Sequence, residues 1–106
     1  MRKIIMIVCF GLFASVCQAN PVCEVNRGQA KEDLKKELLG RYRNSYSTVE
    51  MLLKAGMRDY DALCQIPDNS VNNGILGDIK ARYYPSFSTI LMLYKANKKS
   101  YDELNR

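Results

Sequence analysis

The sequence predicts an all-α protein in which four short helices pair as two tandem αα-hairpins, held by one disulfide. The first observation is that a unit of about 30 residues occurs twice at a 41-residue offset, as residues 34–63 and 75–104. The second is that apolar residues recur at helical spacing within each unit. The third is a pair of cysteines that remains once an N-terminal leader is set aside.

The repeat is strongest in its second half. Arg41 to Leu63 matches Arg82 to Leu104 at 12 of 23 positions, and Tyr46/Phe87 and Val49/Ile90 are conservative pairs. Because only two copies are present, a duplicated hairpin is favoured over an extended repeat array.

The first nineteen residues are typical of a cleaved secretory signal peptide. Arg2 and Lys3 precede an uncharged, mostly apolar run from Ile4 to Val16, and Ala19 ends a small-residue cleavage site. The run is too short for a membrane span, which needs about 20 residues. A lipoprotein signal through Cys17 is disfavoured by the bulky Val16. We therefore expect a single helical domain at 20–106, with a net charge of +3, in the periplasm or outside the cell.

Cys23 and Cys64 are the cysteines of that domain. An exported domain with two thiols is expected to form one disulfide, worth about 3–4 kcal/mol by the chain-entropy model. The alternatives are a redox pair, which is usually closer in sequence, and a metal site, for which two cysteines without histidine are a poor ligand set.

The predicted helices follow the apolar spacing, and each first arm carries an apolar residue every four positions. A short turn follows, and Pro85 prevents a helix from continuing through the second turn. A Pro-, Asn- and Gly-containing loop at 65–74 separates the repeats. The four helices are predicted at 28–43, 47–65, 74–84 and 88–104.

The second arm of each unit has a predicted start signal. Ser47 as N-cap with Glu50 forms a capping box, and Tyr46 with Met51 forms a hydrophobic staple. The second copy keeps the cap Ser88 and the staple Phe87/Met92. Gly56 either admits a neighbouring helix closely or weakens the helix. The residues expected to be buried on these arms are Val49, Leu52, Tyr60, Ile90, Leu93 and Tyr101.

Charged residues kept in both copies are predicted to pair between the repeats. An Arg and an Asp within one hairpin lie at opposite ends, so we expect Arg41 near Asp102 and Arg82 near Asp61. Such pairs are structural, although a carboxylate or guanidinium presented to a ligand is the alternative.

The composition argues against most catalytic functions. The chain has no histidine, and its sequence has no phosphate loop and no nucleophile with a base. We therefore expect no enzymatic activity, no catalytic or metal-binding residues and no cofactor. The modest charge and the predicted export argue against a nucleic-acid partner, and we expect no stable membrane insertion after cleavage.

The predicted function is binding of another protein, as an inhibitor, immunity or envelope-accessory factor. Duplication leaves scaffold positions alike, so positions that changed are the candidate site. An exposed aromatic patch with a basic rim is a common interface anchor. The alternatives are that these side chains are core, and that the protein binds an anionic envelope surface or glycan through its Lys, Arg and Tyr residues. The candidate residues are Tyr84, Leu91 and Tyr94, rimmed by Arg82, Lys95 and Lys98.

Overall fold

The computed structural model describes residues 20–106, and the predicted signal peptide, Met1–Ala19, lies outside the described residues. Helix α1 spans Arg27–Arg41, α2 Tyr46–Leu63, α3 Ser70–Tyr83 and α4 Phe87–Leu104. The described part contains no strand. The Cys23–Cys64 disulfide is present, with the two Cα atoms 5.5 Å apart. The all-α prediction, with four helices and one disulfide, is confirmed.

The helices pack as two adjacent pairs joined through their second arms. Helix α1 packs on α2, α3 packs on α4, and α2 packs on α4. The bounds of α2 and α4 differ by the 41-residue offset at both ends. The superposition of residues 34–63 on 75–104 stays a prediction.

The predicted N-caps Ser47 and Ser88 are wrong, and so is the capping box predicted for Ser47 with Glu50. The N-caps of α2 and α4 are Ser45 and Ser86, and neither side chain bonds to a backbone N–H. Ser47 and Ser88 lie inside the first turns instead. Each helix begins at the aromatic residue that follows its N-cap. In α4 that residue is Phe87, which is fully buried, so tertiary packing of the ring takes precedence over local capping.

The predicted staples are wrong as well. Tyr46 and Met51 are both largely exposed, and Met92 is exposed although Phe87 is buried. Since the helices begin one residue before the predicted N-cap, each aromatic residue belongs to the first turn rather than preceding it.

Helix α3 begins four residues earlier than predicted. Asn69 is its N-cap, and the Asn69 side chain accepts a hydrogen bond from the Asn72 backbone N–H at 2.9 Å. The Asn72 side chain is buried and donates to the Pro67 carbonyl at 3.0 Å. The asparagines that suggest a loop by composition therefore cap and anchor a helix.

The core contains residues from all four helices and from the segment before α1. Val49, Tyr60 and Ile90 are buried as predicted, whereas Leu52 and Leu93 are partly buried. The prediction for Tyr101 is wrong, since its side chain is exposed. The buried apolar residues are Val22, Ala30, Leu34, Leu38, Val49, Met57, Tyr60, Leu63, Leu76, Ile79, Phe87 and Ile90.

Gly56 marks the close approach of α1 to α2. A methyl group added at this position would collide with the side chain of Leu34. The close-approach interpretation of this glycine is therefore correct.

The ion pairs predicted between repeats are wrong. Each of the four charged residues has a nearer partner: three pair with a residue four positions away on the same helix, and the fourth, Asp61, pairs with the first residue of α1. Such i,i+4 pairs need no contact between repeats. The observed pairs are Arg41–Glu37 at 2.6 Å, Arg82–Asp78 at 4.0 Å, Asp102–Lys98 at 2.8 Å and Asp61–Arg27 at 2.9 Å.

Candidate protein-binding site

Tyr84, the first of the predicted site residues, joins the two hairpins. Its hydroxyl donates to Asp33 Oδ2 on α1 at 2.5 Å, and its ring meets the Phe87 ring edge-on at 5.5 Å between centroids. Burial, and then the hydrogen bond to Asp33, raise the pKa of Tyr84. The hydrogen bond from Tyr84 lowers the pKa of Asp33. This residue therefore has a packing role between the repeats.

Leu91 and Tyr94 fill the groove between α3 and α4. Both are partly buried against the core, and the Tyr94 hydroxyl donates to Asn72 Oδ1 at 2.8 Å. The corresponding positions in the first hairpin are Glu50 and Leu53, and there the groove stays open, with a volume of about 340 Å³. The residues that line that open groove are Arg27, Lys31, Glu50, Leu53, Lys54 and Met57.

The three predicted rim cations have no contact partner in common. Arg82 is exposed and pairs with Asp78, and Lys95 is exposed. Lys98 pairs with Asp102, which raises the pKa of Lys98. The six predicted residues are thus distributed over the hairpin junction, the α3–α4 groove and the outer surface. Their role in partner binding stays a prediction.

A different surface becomes evident from the segment that precedes α1. Residues 20–26, called the strap here, lie against the C-terminal end of α2. Asn20 is 2% exposed, and its side-chain amide donates to the Leu63 carbonyl at 2.8 Å. Its Oδ1 accepts the backbone N–H groups of Val22 at 3.1 Å and Cys23 at 3.0 Å. The strap therefore satisfies a carbonyl that the end of a helix leaves without an intrahelical partner.

Three residues of α2 hold the strap and the start of α1. The Tyr60 hydroxyl donates to the Val25 carbonyl. Asp61 accepts two hydrogen bonds from the Arg27 guanidinium, at 2.9 and 3.0 Å, which lower the pKa of Asp61. The third residue, Leu63, is 0% exposed and belongs to the same buried cluster as Val22.

The same three residue types recur at the end of α4 without a strap. Tyr101, Asp102 and Leu104 correspond to Tyr60, Asp61 and Leu63 by the repeat offset. Tyr101 is 39% exposed and Leu104 is 85% exposed.

On this helix, Asp102 is engaged by Lys98 of its own helix, and the Lys98 ammonium lies 5.7 Å from the centre of the Tyr101 ring. We call the surface formed by Lys98, Tyr101, Asp102 and Leu104 the α4 face.

A shallow depression adjoins the α4 face. It has a volume of about 600 Å³ and shares Leu104 with that face. Lys99 brings a positive charge to it and Glu103 a negative one, whereas Ala96 leaves its floor small and apolar. Apolar floors with charged rims are suited to contacts with another protein.

Sequence reasoning did not select the α4 face, although its signal was present. The Tyr-Asp-x-Leu residues are identical in both repeats, while Cys64, which tethers the strap, is replaced by Asn105. An identical set of residues with its tether present in only one copy indicates that the other copy lacks its cover. The comparison of the two repeats, rather than the residues that changed, therefore identifies this surface.

Within residues 20–106, no three His, Cys, Asp or Glu side chains are grouped so as to hold a metal ion. No helix in that range is long and apolar enough to cross a membrane. Comparison of the chain with protein-family models, with curated proteins and with solved structures finds no match.

Proposed function

We propose that this protein is a small exported factor that binds another protein through the α4 face. The observation that carries the proposal is the pair of Tyr-Asp-x-Leu sets. In α2 the set holds the strap and the start of α1, and in α4 the same set is exposed within residues 20–106. Residues that bind a chain segment in one repeat are suited to bind one in the other.

The exposure of Leu104 supports a protein partner over a small ligand. An almost fully exposed leucine beside a half-exposed tyrosine is the kind of anchor that a partner buries. The adjoining depression is open and shallow, unlike the enclosed pockets that take small molecules. An inhibitor, immunity or envelope-accessory role fits a small scaffold that presents one such anchor.

Export is supported by the disulfide. Cys23 and Cys64 are bonded in the structure, and such bonds persist in oxidising compartments. The signal peptide proposed for Met1–Ala19 leads to the same location. Both features support a periplasmic or secreted site of action.

The test is capture from the exported fraction followed by quantitative binding. The tagged protein is compared with Leu104→Glu, which places a charge in the α4 face, and with Met92→Glu, a matched change at another exposed position of α4. The partner, once identified and purified, should bind the protein and the Met92→Glu variant alike, and the Leu104→Glu variant at least about tenfold more weakly. Equal binding by all three would refute the proposal.

A second candidate function is binding to an anionic surface. The observation in its favour is that Lys95 and Lys99 have no ion-pair partner among residues 20–106. Salt separates the two functions. Binding through these cations should collapse in about 0.5 M salt, where the Debye length is only a few ångströms, whereas an apolar protein interface should persist.

A further inference from the structure

We infer that the partner segment on the α4 face is a turn-forming chain that resembles the strap, with a branched apolar residue, a free backbone carbonyl and an arginine. The inference rests on the proposed function and names the chemistry of its partner. It follows from the three contacts that the corresponding residues of α2 make.

The tyrosine hydroxyl requires a backbone carbonyl that is not used by a helix. Tyr60 donates to the carbonyl of Val25, which precedes the first residue of α1. Tyr101 has the same position on α4, and its side chain is 39% exposed. Since carbonyls inside helices are already bonded, a segment that accepts from Tyr101 offers a carbonyl from a turn or loop, as the strap does at Val25, or from the last turn of a helix.

The leucine requires a compact apolar residue. Leu63 and Val22 are both fully buried in the same core. Leu104 is 85% exposed, and a valine or isoleucine packed on it would remove that apolar surface from water.

The aspartate requires a guanidinium. Asp61 accepts from both Nε and Nη2 of Arg27, a two-bond geometry that lysine lacks. Asp102 receives only one hydrogen bond, from the exposed Lys98 on its own helix. An exposed pair of this type contributes little to stability, so an incoming arginine replaces it at small cost.

The spacing of the three groups follows from the strap. The apolar residue is Val22, the carbonyl belongs to the residue three positions later, and the arginine lies five positions after Val22. A partner segment of the form Val-x-x-Val-x-Arg thus places all three groups at once.

Two occupants from this chain itself are disfavoured. The chain's own strap is tethered to Cys64 by the disulfide and fills its place on α2. A dimer formed through the α4 face would have only its four residues and the adjoining depression as an interface. This is a small contact beside the roughly 800 Å² per partner that a stable dimer buries. A short segment of another protein fits this surface better.

The experiment uses a strap peptide as the probe. A peptide with the sequence of residues 20–27 and Cys23→Ser is titrated into the oxidised, isotope-labelled protein, and amide chemical shifts are followed. We expect the largest shifts at Tyr101 to Leu104, and no shifts there in the Leu104→Glu variant. Peptides with Val22→Asp or with Arg27→Glu should each bind about tenfold more weakly, as expected for loss of a buried apolar or charge-assisted contact.

The outcomes separate this inference from the proposed function. Shifts elsewhere, or equal affinity for the three peptides, would overturn the inference. It would also be overturned by a partner whose contacting segment is helical, or by sedimentation that shows a dimer lost in Leu104→Glu. The proposed function depends only on the effect of Leu104→Glu on partner binding, so it survives failure of the peptide experiment.

Discussion

The two hairpins contain the same Tyr-Asp-x-Leu residues, but these residues have a different structural role in each hairpin. In the first, the strap seals the end of α2, while the groove between α1 and α2 stays open. In the second, Tyr94 fills the groove between α3 and α4, while the end of α4 stays open. Tyr-Asp-x-Leu is therefore a core element in one copy and a surface in the other. What packs on a set of residues, and not the residues alone, decides its role.

The largest expected effect comes from removing the tether of the strap. The double change Cys23→Ser with Cys64→Ser should lower the free energy of unfolding by about 4 kcal/mol, since a loop of this length is no longer closed in the unfolded chain. Urea unfolding with and without reductant measures it. Relative to the oxidised protein, hydrogen exchange should speed up more at the end of α2 than at the end of α4. Equal loss of protection in both hairpins would contradict the local role of the strap.

Two equivalent leucines should respond very differently to truncation. Leu63→Ala removes a fully buried side chain and should cost about 3 kcal/mol. Leu104→Ala removes an exposed one and should change stability by less than about 0.5 kcal/mol. Thermal melts of the two oxidised variants give the comparison. A large loss in Leu104→Ala would show that the end of α4 is covered within the free protein.

Adding a methyl group to each second arm tests the close approach of α1. Gly56→Ala places a methyl against Leu34 and should cost about 2 kcal/mol through overpacking. Asn97→Ala, the equivalent change on α4, is exposed and should leave stability almost unchanged. Urea midpoints of both variants decide the matter, and a stabilised Gly56→Ala would mean that the two helices separate easily.

The junction between the hairpins should give the smallest effect, visible in the pH dependence of stability. Because its pKa is lowered, Asp33 stabilises the folded protein at pH values above about 4, the usual pKa of an aspartate. This contribution is lost as the pH falls through the lowered pKa. Because its pKa is raised, Tyr84 stabilises the folded protein at pH values below about 10, the usual pKa of a tyrosine. This contribution declines as the pH rises from there towards the raised pKa.

Tyr84→Phe should remove both contributions and leave the other carboxylates in place. Urea midpoints between pH 3 and 11 should therefore differ most between the protein and the variant near neutrality, and the difference should narrow towards both extremes. Parallel curves over the whole range would show that the bond to Asp33 does not form in solution.

Much of the fold follows from sequence periodicity. The helical spacing and the 41-residue offset predict four helices, and two cysteines in one small domain predict the disulfide. The helix starts were less predictable, because capping patterns describe an isolated helix. Burial of Phe87 depends on other helices, and this tertiary packing moves the start of α4. Helix α3 starts early for a local reason, because the Asn69 side chain caps it within a segment whose composition suggests a loop.

The candidate site was less accessible to sequence reasoning. Glu50/Leu91 and Leu53/Tyr94 change between the repeats, which suggests a new surface, yet the second member of each pair fills a groove. An apolar substitution indicates a change of environment and does not say whether that environment is core or interface. The three-dimensional position of the strap shows that Leu104 lacks the cover that its counterpart has.

The strap has a consequence for the order in which the chain assembles. Its contacts span 43 residues from Asn20 to Leu63 and 59 residues from Pro21 to Lys80, whereas the hairpins form from neighbouring helices. Long loops close late, so the strap is expected to dock after the hairpins exist. At that stage it meets two nearly identical Tyr-Asp-x-Leu ends, and only one of them is followed by a thiol. The Cys23–Cys64 disulfide thus holds a strap that has docked at the end of α2. The end of α4 has Asn105 instead of a cysteine, so a strap that docks there is not held by a covalent bond and can dissociate.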